Sequence, residues 1–382
     1  MDENESSLII YGLELQARAL TPQYGEGNDV RFFIATNSLK PTNTNQLHLL
    51  QYDEEQGNIQ SKIFEHSLGE VWNLRSCPHQ ANLLASVYQK GAQVITQAAL
   101  LTLPDDLGSV RTEQLKSEYI PWKQVEVLDT TAYGGRVKTI EFHPSQEQTL
   151  ACVVGSKVAL MQRGESSTRI IADLVGSGSN SKHIPPFTTG KWSHHHQGNQ
   201  FLTLHDCTLS SYDIRDTQHC AWSISDAHGQ LVRDLDCNPN KQCHVMTGGD
   251  DGYLKIWDYR MPKAPVFERS DHSHWIWSVR FNTFHDQLLL SSSSDCKVLL
   301  TCAGSVSSEL HSQNEINTEG GGEERQRPLL SDGLLQTFDQ HEDSVYCAEW
   351  SNVDPWVFAS LSYDGRVIIS KVPKQYKYQI IF

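Results

Sequence analysis

The sequence predicts an all-β protein, a seven-bladed β-propeller, and three observations carry that expectation. A chain of 382 residues exceeds the length at which one hydrophobic core stops growing, which favours a fold that stacks many small cores. Three segments, starting at Ala227, Asp271 and Gln340, align without a gap, each with a histidine (His228, His272, His341) twenty-three residues before an aspartate (Asp251, Asp295, Asp364). Short apolar runs rich in branched and aromatic side chains flank those aspartates, bounded by Asn-Pro, Asp-Gly or Ser-Asp, and read as antiparallel strands.

Taken along the chain, the blades are expected at residues 8–64, 65–128, 129–184, 185–226, 227–270, 271–303 and 334–382. The first offers IIYGLEL, RFFIAT and QLHLLQY; the second EVWNLRS, NLLASVY and AQVITQAAL; the third RVKTIEF, TLACVVG and KVALMQR; the fourth GKWS, QFLTLH and TLSSYDIR. The last three are the aligned segments. The final YKYQIIF, Tyr376 to Phe382, is apolar and is expected as a strand that completes the last blade or clamps it to the first. A blade cannot bury both faces of its own sheet, so the ring closes when each packs on its neighbours.

Residues 304–333, polar and Gly-rich, lengthen the repeat spacing from 44 residues (His228 to His272) to 69 (His272 to His341) and are expected as a mobile loop inserted between the last two blades. Leu103–Val125 and Gly164–Lys182 are expected as connectors.

Composition narrows the function classes. The chain is 38% apolar with 9 Trp, 13 Tyr and 12 Phe, ample for buried cores. A formal charge of −15 repels phosphate backbones and no long Lys/Arg run overcomes it, so direct nucleic-acid binding is not expected. The acidic MDENESS start is unlike a signal peptide and no stretch reaches the length of apolar sequence that crosses a membrane, so no direct membrane insertion and a cytosolic location are expected. Nine cysteines without a Cys-x-x-Cys pair fit reduced thiols better than a disulfide framework or a zinc site.

Ile256-Trp257-Asp258 ends the segment from Ala227 with a WD dipeptide, and from here the sequence resembles WD40 repeats. In that family a His, a Ser/Thr, an Asp and a Trp form a hydrogen-bonded chain across each blade. The matching residues are His228, Thr247, Asp251 and Trp257. In the next repeat His272, Ser291 and Asp295 match but Thr301 replaces the Trp; in the last, His341, Ser360 and Asp364 match and Ser370 replaces it. Buried polar groups of this kind must be paired or each costs a few kcal/mol, so a structural role is favoured over general-base catalysis.

No phosphate-binding Gly-x-x-x-x-Gly-Lys loop, Gly-x-Ser-x-Gly elbow or His-Glu-x-x-His helix occurs, which argues against an enzyme and against a cofactor or metal. Ser193-His194-His195-His196 reads as solvated loop because adjacent side chains point in different directions. What remains is surface. The position five residues after each blade histidine lies where the first strand leaves the loop at one end of the ring, and it holds Arg233, Trp277 and Tyr346, with Trp72 and Lys138 as equivalents in looser blades and Trp275 beside them. Clustered aromatic and cationic side chains make protein-binding hot spots, so this face is the expected partner site.

Tyr11–Gln23, Ala227–Gln242, Ser273–Leu290 and His341–Ile368 are similar to one narrower group, the EARP and GARP complex-interacting protein family, over both ends and the C-terminal half. That resemblance implies a cytosolic WD40 adaptor, monomeric within a larger assembly. Its implied partners are subunits shared by the EARP and GARP tethering complexes at recycling endosomes and the trans-Golgi network. It also implies roles in endosomal recycling, endosome-to-Golgi retrograde transport and dense-core vesicle maturation. The competing reading is a ubiquitin-ligase substrate receptor or chromatin scaffold, for which Asp213-Ile214-Arg215 and Asp258-Tyr259-Arg260 supply weak Asp-x-Arg motifs.

Overall fold

A computed structural model of the chain describes residues 9–40, 42–91, 95–105, 119–165, 167–175, 185–308 and 330–382. The strands pair into seven antiparallel sheets of four, a seven-bladed propeller. The innermost strands are Ala17–Pro22, Glu70–Ser76, Val137–Phe142, Thr189–Trp192, Val232–Cys237, Ile276–Phe281 and Val345–Trp350. Second strands such as His244–Gly249, Leu288–Ser293 and Val357–Ser362 are buried at every residue. Both faces of each sheet are covered by neighbouring blades, which is why these strands read as continuous apolar or small-residue runs rather than as alternation.

Seven hydrophobic clusters hold the ring, one at each junction. Phe267 of blade five packs with Ile276 and Phe281 of blade six, Leu290 of blade six with Trp350 and Phe358 of blade seven, and Phe32 and Leu50 of blade one with Leu361 and Ile369 of blade seven. The other four junctions are built alike. Gly248 fits such a seam: a Cβ there would stand 2.6 Å from Cγ2 of Ile276 across it.

Four sequence expectations are corrected. Ile9–Gly12 does not belong to the first blade; it pairs with Arg366–Lys371, Ile9 opposite Ile369, and supplies the outer strand of blade seven. Because the chain end already occupies that edge, Tyr376–Phe382 is not a strand: Lys374–Ile381 is an α-helix that starts after Pro373. Tyr376 and Ile380, one helical turn apart, pack against the cluster between blades six and seven, and the Tyr376 hydroxyl donates to the Leu335 carbonyl at 2.8 Å. Gly333–Phe338 pairs with Val298–Cys302 as the outer strand of blade six, so the long insertion falls inside that blade rather than between blades. Thr168–Val175, expected within a connector, is the outer strand of blade three. The expected mobility of residues 304–333 falls mainly on 309–329, outside the described residues.

The polar chain across blade five is complete. His228 donates from Nδ1 to Asp251 (2.9 Å), accepts at Nε2 from the Thr247 hydroxyl (2.8 Å), and that hydroxyl accepts from the Trp257 indole N–H (3.0 Å). A proton on Nδ1 and a lone pair on Nε2 give every bond one donor and one acceptor. Burial works to raise the Asp251 carboxyl, but the hydrogen bonds it accepts from His228 and from the Gly229 and Tyr253 amides outweigh it and hold it low. His272 repeats the pattern with Asp295 and Ser291, both at 2.9 Å.

Blade seven departs from it. His341 meets Ser360 at 2.8 Å, but its Nδ1 meets the Ser362 hydroxyl (2.8 Å), which in turn donates to Asp364 (2.5 Å). The difference lies in a hydroxyl that turns between histidine and aspartate: the equivalent of Ser362 in blade five is Gly249, which has no side chain to place there. In blade six that position is Ser293, which turns to the His274 carbonyl instead.

Candidate docking site at the channel mouth

The innermost strands are sheet edges facing the central channel, so their N–H groups need partners from neighbouring blades. Asp234 and Asp236 of blade five accept from the Val279 and Phe281 amides of blade six at 3.1 and 2.8 Å. Arg280 joins three blades, paired with Asp234 and at 2.8 Å with Glu349. Burial works against charge at both Arg280 and Asp234, but mutual attraction outweighs it, holding the guanidinium above and the carboxyl below their ordinary ranges. Arg75–Glu141 (2.7 Å) and Lys191–Asp236 (2.9 Å) complete this belt.

Above the belt, six of the seven innermost strands break register at one residue near their start. The skipped residues are Arg18, Trp72, Lys138, Arg233, Trp277 and Tyr346. A bulge leaves one residue outside the ladder and re-aims its side chain. All six line one funnel of about 570 Å³ at that end of the channel. Trp72, Arg233, Trp277 and Tyr346 are half-buried, Lys138 is exposed, and Trp275 stands at the rim, 40% exposed.

The funnel wall is a continuous chain of rings and cations from blade five round to blade two. The Arg233 guanidinium lies 4.7 Å from the Trp275 centroid and 4.1 Å from that of Trp277, and ion-pairs with Asp250. Trp277 meets Tyr346 edge to face at 4.7 Å and donates from its indole to Ser294 at 2.6 Å. Arg18 sits among Tyr346 (4.3 Å), Trp72 (5.0 Å) and Trp277 (5.1 Å). Cation–π contacts of this kind are worth about 0.5–2 kcal/mol each and preset the side chains. Blades three and four leave the opposite wall open and basic, with Arg136 and Lys138 exposed.

Sequence reasoning missed Arg18 and Arg136. Blade one has no blade histidine to mark its first strand, yet a local signal existed: Ala17-Arg18-Ala19-Leu20 follows the same buried–bulged–small–apolar order as Val232-Arg233-Asp234-Leu235 and Ile276-Trp277-Ser278-Val279.

Other candidates make contacts within the ring. His195 is not simply solvated: its Nε2 donates to the Asn238 carbonyl at 2.8 Å, tying blade four to blade five. Arg215 and Arg260 each fold back on the aspartate two residues earlier, with Nε–O distances of 2.8 and 2.9 Å. Among the described residues no three His, Cys, Asp or Glu side chains gather to hold a metal, and no helix is long and apolar enough to cross a membrane. Among the described residues no disulfide joins any of the cysteines.

Residues 5–301 match the family described as "EIPR1 beta-propeller", and residues 333–369 match "WD domain, G-beta repeat". The chain is 39% identical to an EARP-interacting protein homolog of Gekko japonicus and 38% identical to EARP and GARP complex-interacting protein 1 of Homo sapiens, in both cases over 98% of each chain. It is 32% identical to EARP-interacting protein 1 of Caenorhabditis elegans, over 98% of this chain and 99% of the relative. With matches that run from one end to the other, the chain belongs to the EIPR1 β-propeller family of WD40 proteins.

Proposed function

We propose that this protein is a non-catalytic WD40 adaptor that binds the EARP and GARP tethering complexes through subunits the two share. It acts as a single copy within the larger assembly, without cofactor, metal, nucleic acid or inserted membrane segment. The observation that carries this reading is the end-to-end similarity to relatives named for interaction with those complexes. Through them the protein serves endosomal recycling, endosome-to-trans-Golgi retrograde transport and dense-core vesicle maturation, and sits peripherally on recycling endosomes and the trans-Golgi network.

The docking face in this reading is the channel mouth bearing Trp72, Lys138, Arg233, Trp275, Trp277 and Tyr346. Preset aromatic and cationic side chains bury much area at little entropic cost, which supports that choice. Affinity purification of the tagged protein from its own cells, with identification of co-eluting proteins, tests the function. Tethering subunits in stoichiometric yield are expected. Ubiquitin-ligase adaptor subunits with no tethering subunit would overturn it.

A further inference from the structure

The charge of the funnel is opposite to that of the molecule. The chain carries a formal −15, yet Arg18, Arg75, Arg136, Lys138, Arg233 and Arg280 line the funnel against one carboxylate, Asp234. Three of these cations are neutralised within the belt or wall: Arg75 by Glu141, Arg280 by Asp234 and Glu349, Arg233 by Asp250. No carboxylate among the described residues pairs with Arg18, Arg136 or Lys138. The Arg18 guanidinium lies against three rings, and burial pulls it below the ordinary range, with Tyr346 partly offsetting this. A cation kept among three aromatic faces without a counter-ion is a site prepared for an anion that arrives from outside.

We propose that the funnel takes an extended acidic segment of the partner protein, one Asp or Glu carboxylate reaching Arg18 and a second pairing with Arg136 and Lys138. The segment's methylenes and apolar side chains then lie against Trp72, Trp277 and Tyr346. This rests on the docking face proposed above and adds the chemistry of what docks there.

The occupant comes from another chain rather than from this one. The innermost strands start at the funnel and end at the opposite mouth, beside Trp192, Phe281 and Trp350. Antiparallel pairing then brings Val298–Cys302 to its end, and Gly333–Phe338 to its start, at that opposite side. The described residues on either side of the long insertion, Ser308 and Leu330, therefore both stand at the far end from the funnel. The acidic N-terminal residues likewise precede Ile9, whose partner Ile369 lies toward the far end of its strand.

The test uses the full-length protein and purified EARP complex, with binding measured for wild type, Trp277→Ala, Arg136→Glu/Lys138→Glu and Arg136→Ala/Lys138→Ala. Arg136 and Lys138 are exposed and make no ion pair among the described residues, so their variants should melt like wild type. The double glutamate variant is expected to bind at least about tenfold more weakly and the double alanine variant about threefold more weakly, with wild-type binding falling as salt rises. A photo-crosslinking residue at position 138 should capture a peptide of the complex rich in Asp and Glu. If Trp277→Ala weakens binding while the double glutamate variant and salt do not, the face stands and the acidic segment is overturned. If neither variant weakens binding, the face itself fails and takes the inference with it. Capture of a second copy of this chain, of a lipid, or of a peptide whose binding vanishes on phosphatase treatment also overturns it.

Discussion

The Arg18 guanidinium lies 4.3 Å from the centroid of the Tyr346 ring, so the first blade reaches across the ring closure to the last at the mouth of the channel. Below them Ile9–Gly12 and Arg366–Lys371 share one sheet. The two ends of the chain thus build both the fastening of the ring and part of its candidate docking surface, and damage to either has readable consequences.

Trp277 and Arg233 stand in the centre of the aromatic wall, 4.1 Å from guanidinium carbon to ring centroid. Trp277→Ala combined with Arg233→Glu should cut recovery of tethering subunits at least about tenfold in pull-downs, with the melting transition checked to show that the ring is intact. Undiminished recovery by the folded variant would move the interface elsewhere on the propeller.

The outer strand of blade seven comes from the chain's start. Removing residues 1–12 exposes the edge of Arg366–Lys371 and the apolar faces of Ile369 and Val367. We expect the melting temperature to fall by at least ~5 °C and aggregation to rise, since an open edge strand recruits other strands. Circular dichroism and light scattering during one thermal ramp measure the two.

Direct and relayed histidine contacts should differ energetically. A double-mutant cycle on His228→Ala and Asp251→Ala should give a coupling of roughly 1–3 kcal/mol, because the two touch at 2.9 Å in a buried network. The same cycle on His341 and Asp364 should give less than ~0.5 kcal/mol, since Ser362 stands between them. Urea titrations of the seven proteins would decide it, and equal couplings would contradict the relay.

Burial lowers His66 and His341 from 6.5 to about 4. In the unfolded chain they take up protons as pH falls through about 6.5, whereas in the folded chain they do so only near 4. Their contribution to stability is therefore full above the unfolded value, declines between about 6.5 and 4, and is gone below that range. Denaturant titrations at two pH values should show each histidine losing about 1–2 kcal/mol from pH 7 to pH 5, and His341→Gln should reduce that slope.

Arg280 neutralises two buried carboxylates at once. Arg280→Ala leaves Asp234 and Glu349 without it in the channel wall and should cost about 3–5 kcal/mol. Adding Glu349→Gln should recover part of that loss at neutral pH, a pairing that a purely steric effect would not produce.

Local chemistry in the sequence determined the repeat, the all-β class, the ring of seven and the polar chain of His228, Thr247, Asp251 and Trp257, because each is written in side chains a few residues apart or in a fixed spacing. It also marked five of the six bulged positions, since a blade histidine or an aligned strand start pointed to them. Partner choice belonged to the tertiary structure. A four-residue strand such as Ile9–Gly12 fits any open edge equally well, and only closure of the ring assigns it to blade seven. Gly333–Phe338 goes to blade six because that sheet lacks an outer strand before it, whatever the length of the insertion. With the last edge taken, Tyr376 and Ile380 could be buried only by a helix laid across blades six and seven. Arg18 acquired its place in the same way: nothing in its neighbourhood along the chain foretells Tyr346, which closure of the circle brings to its side.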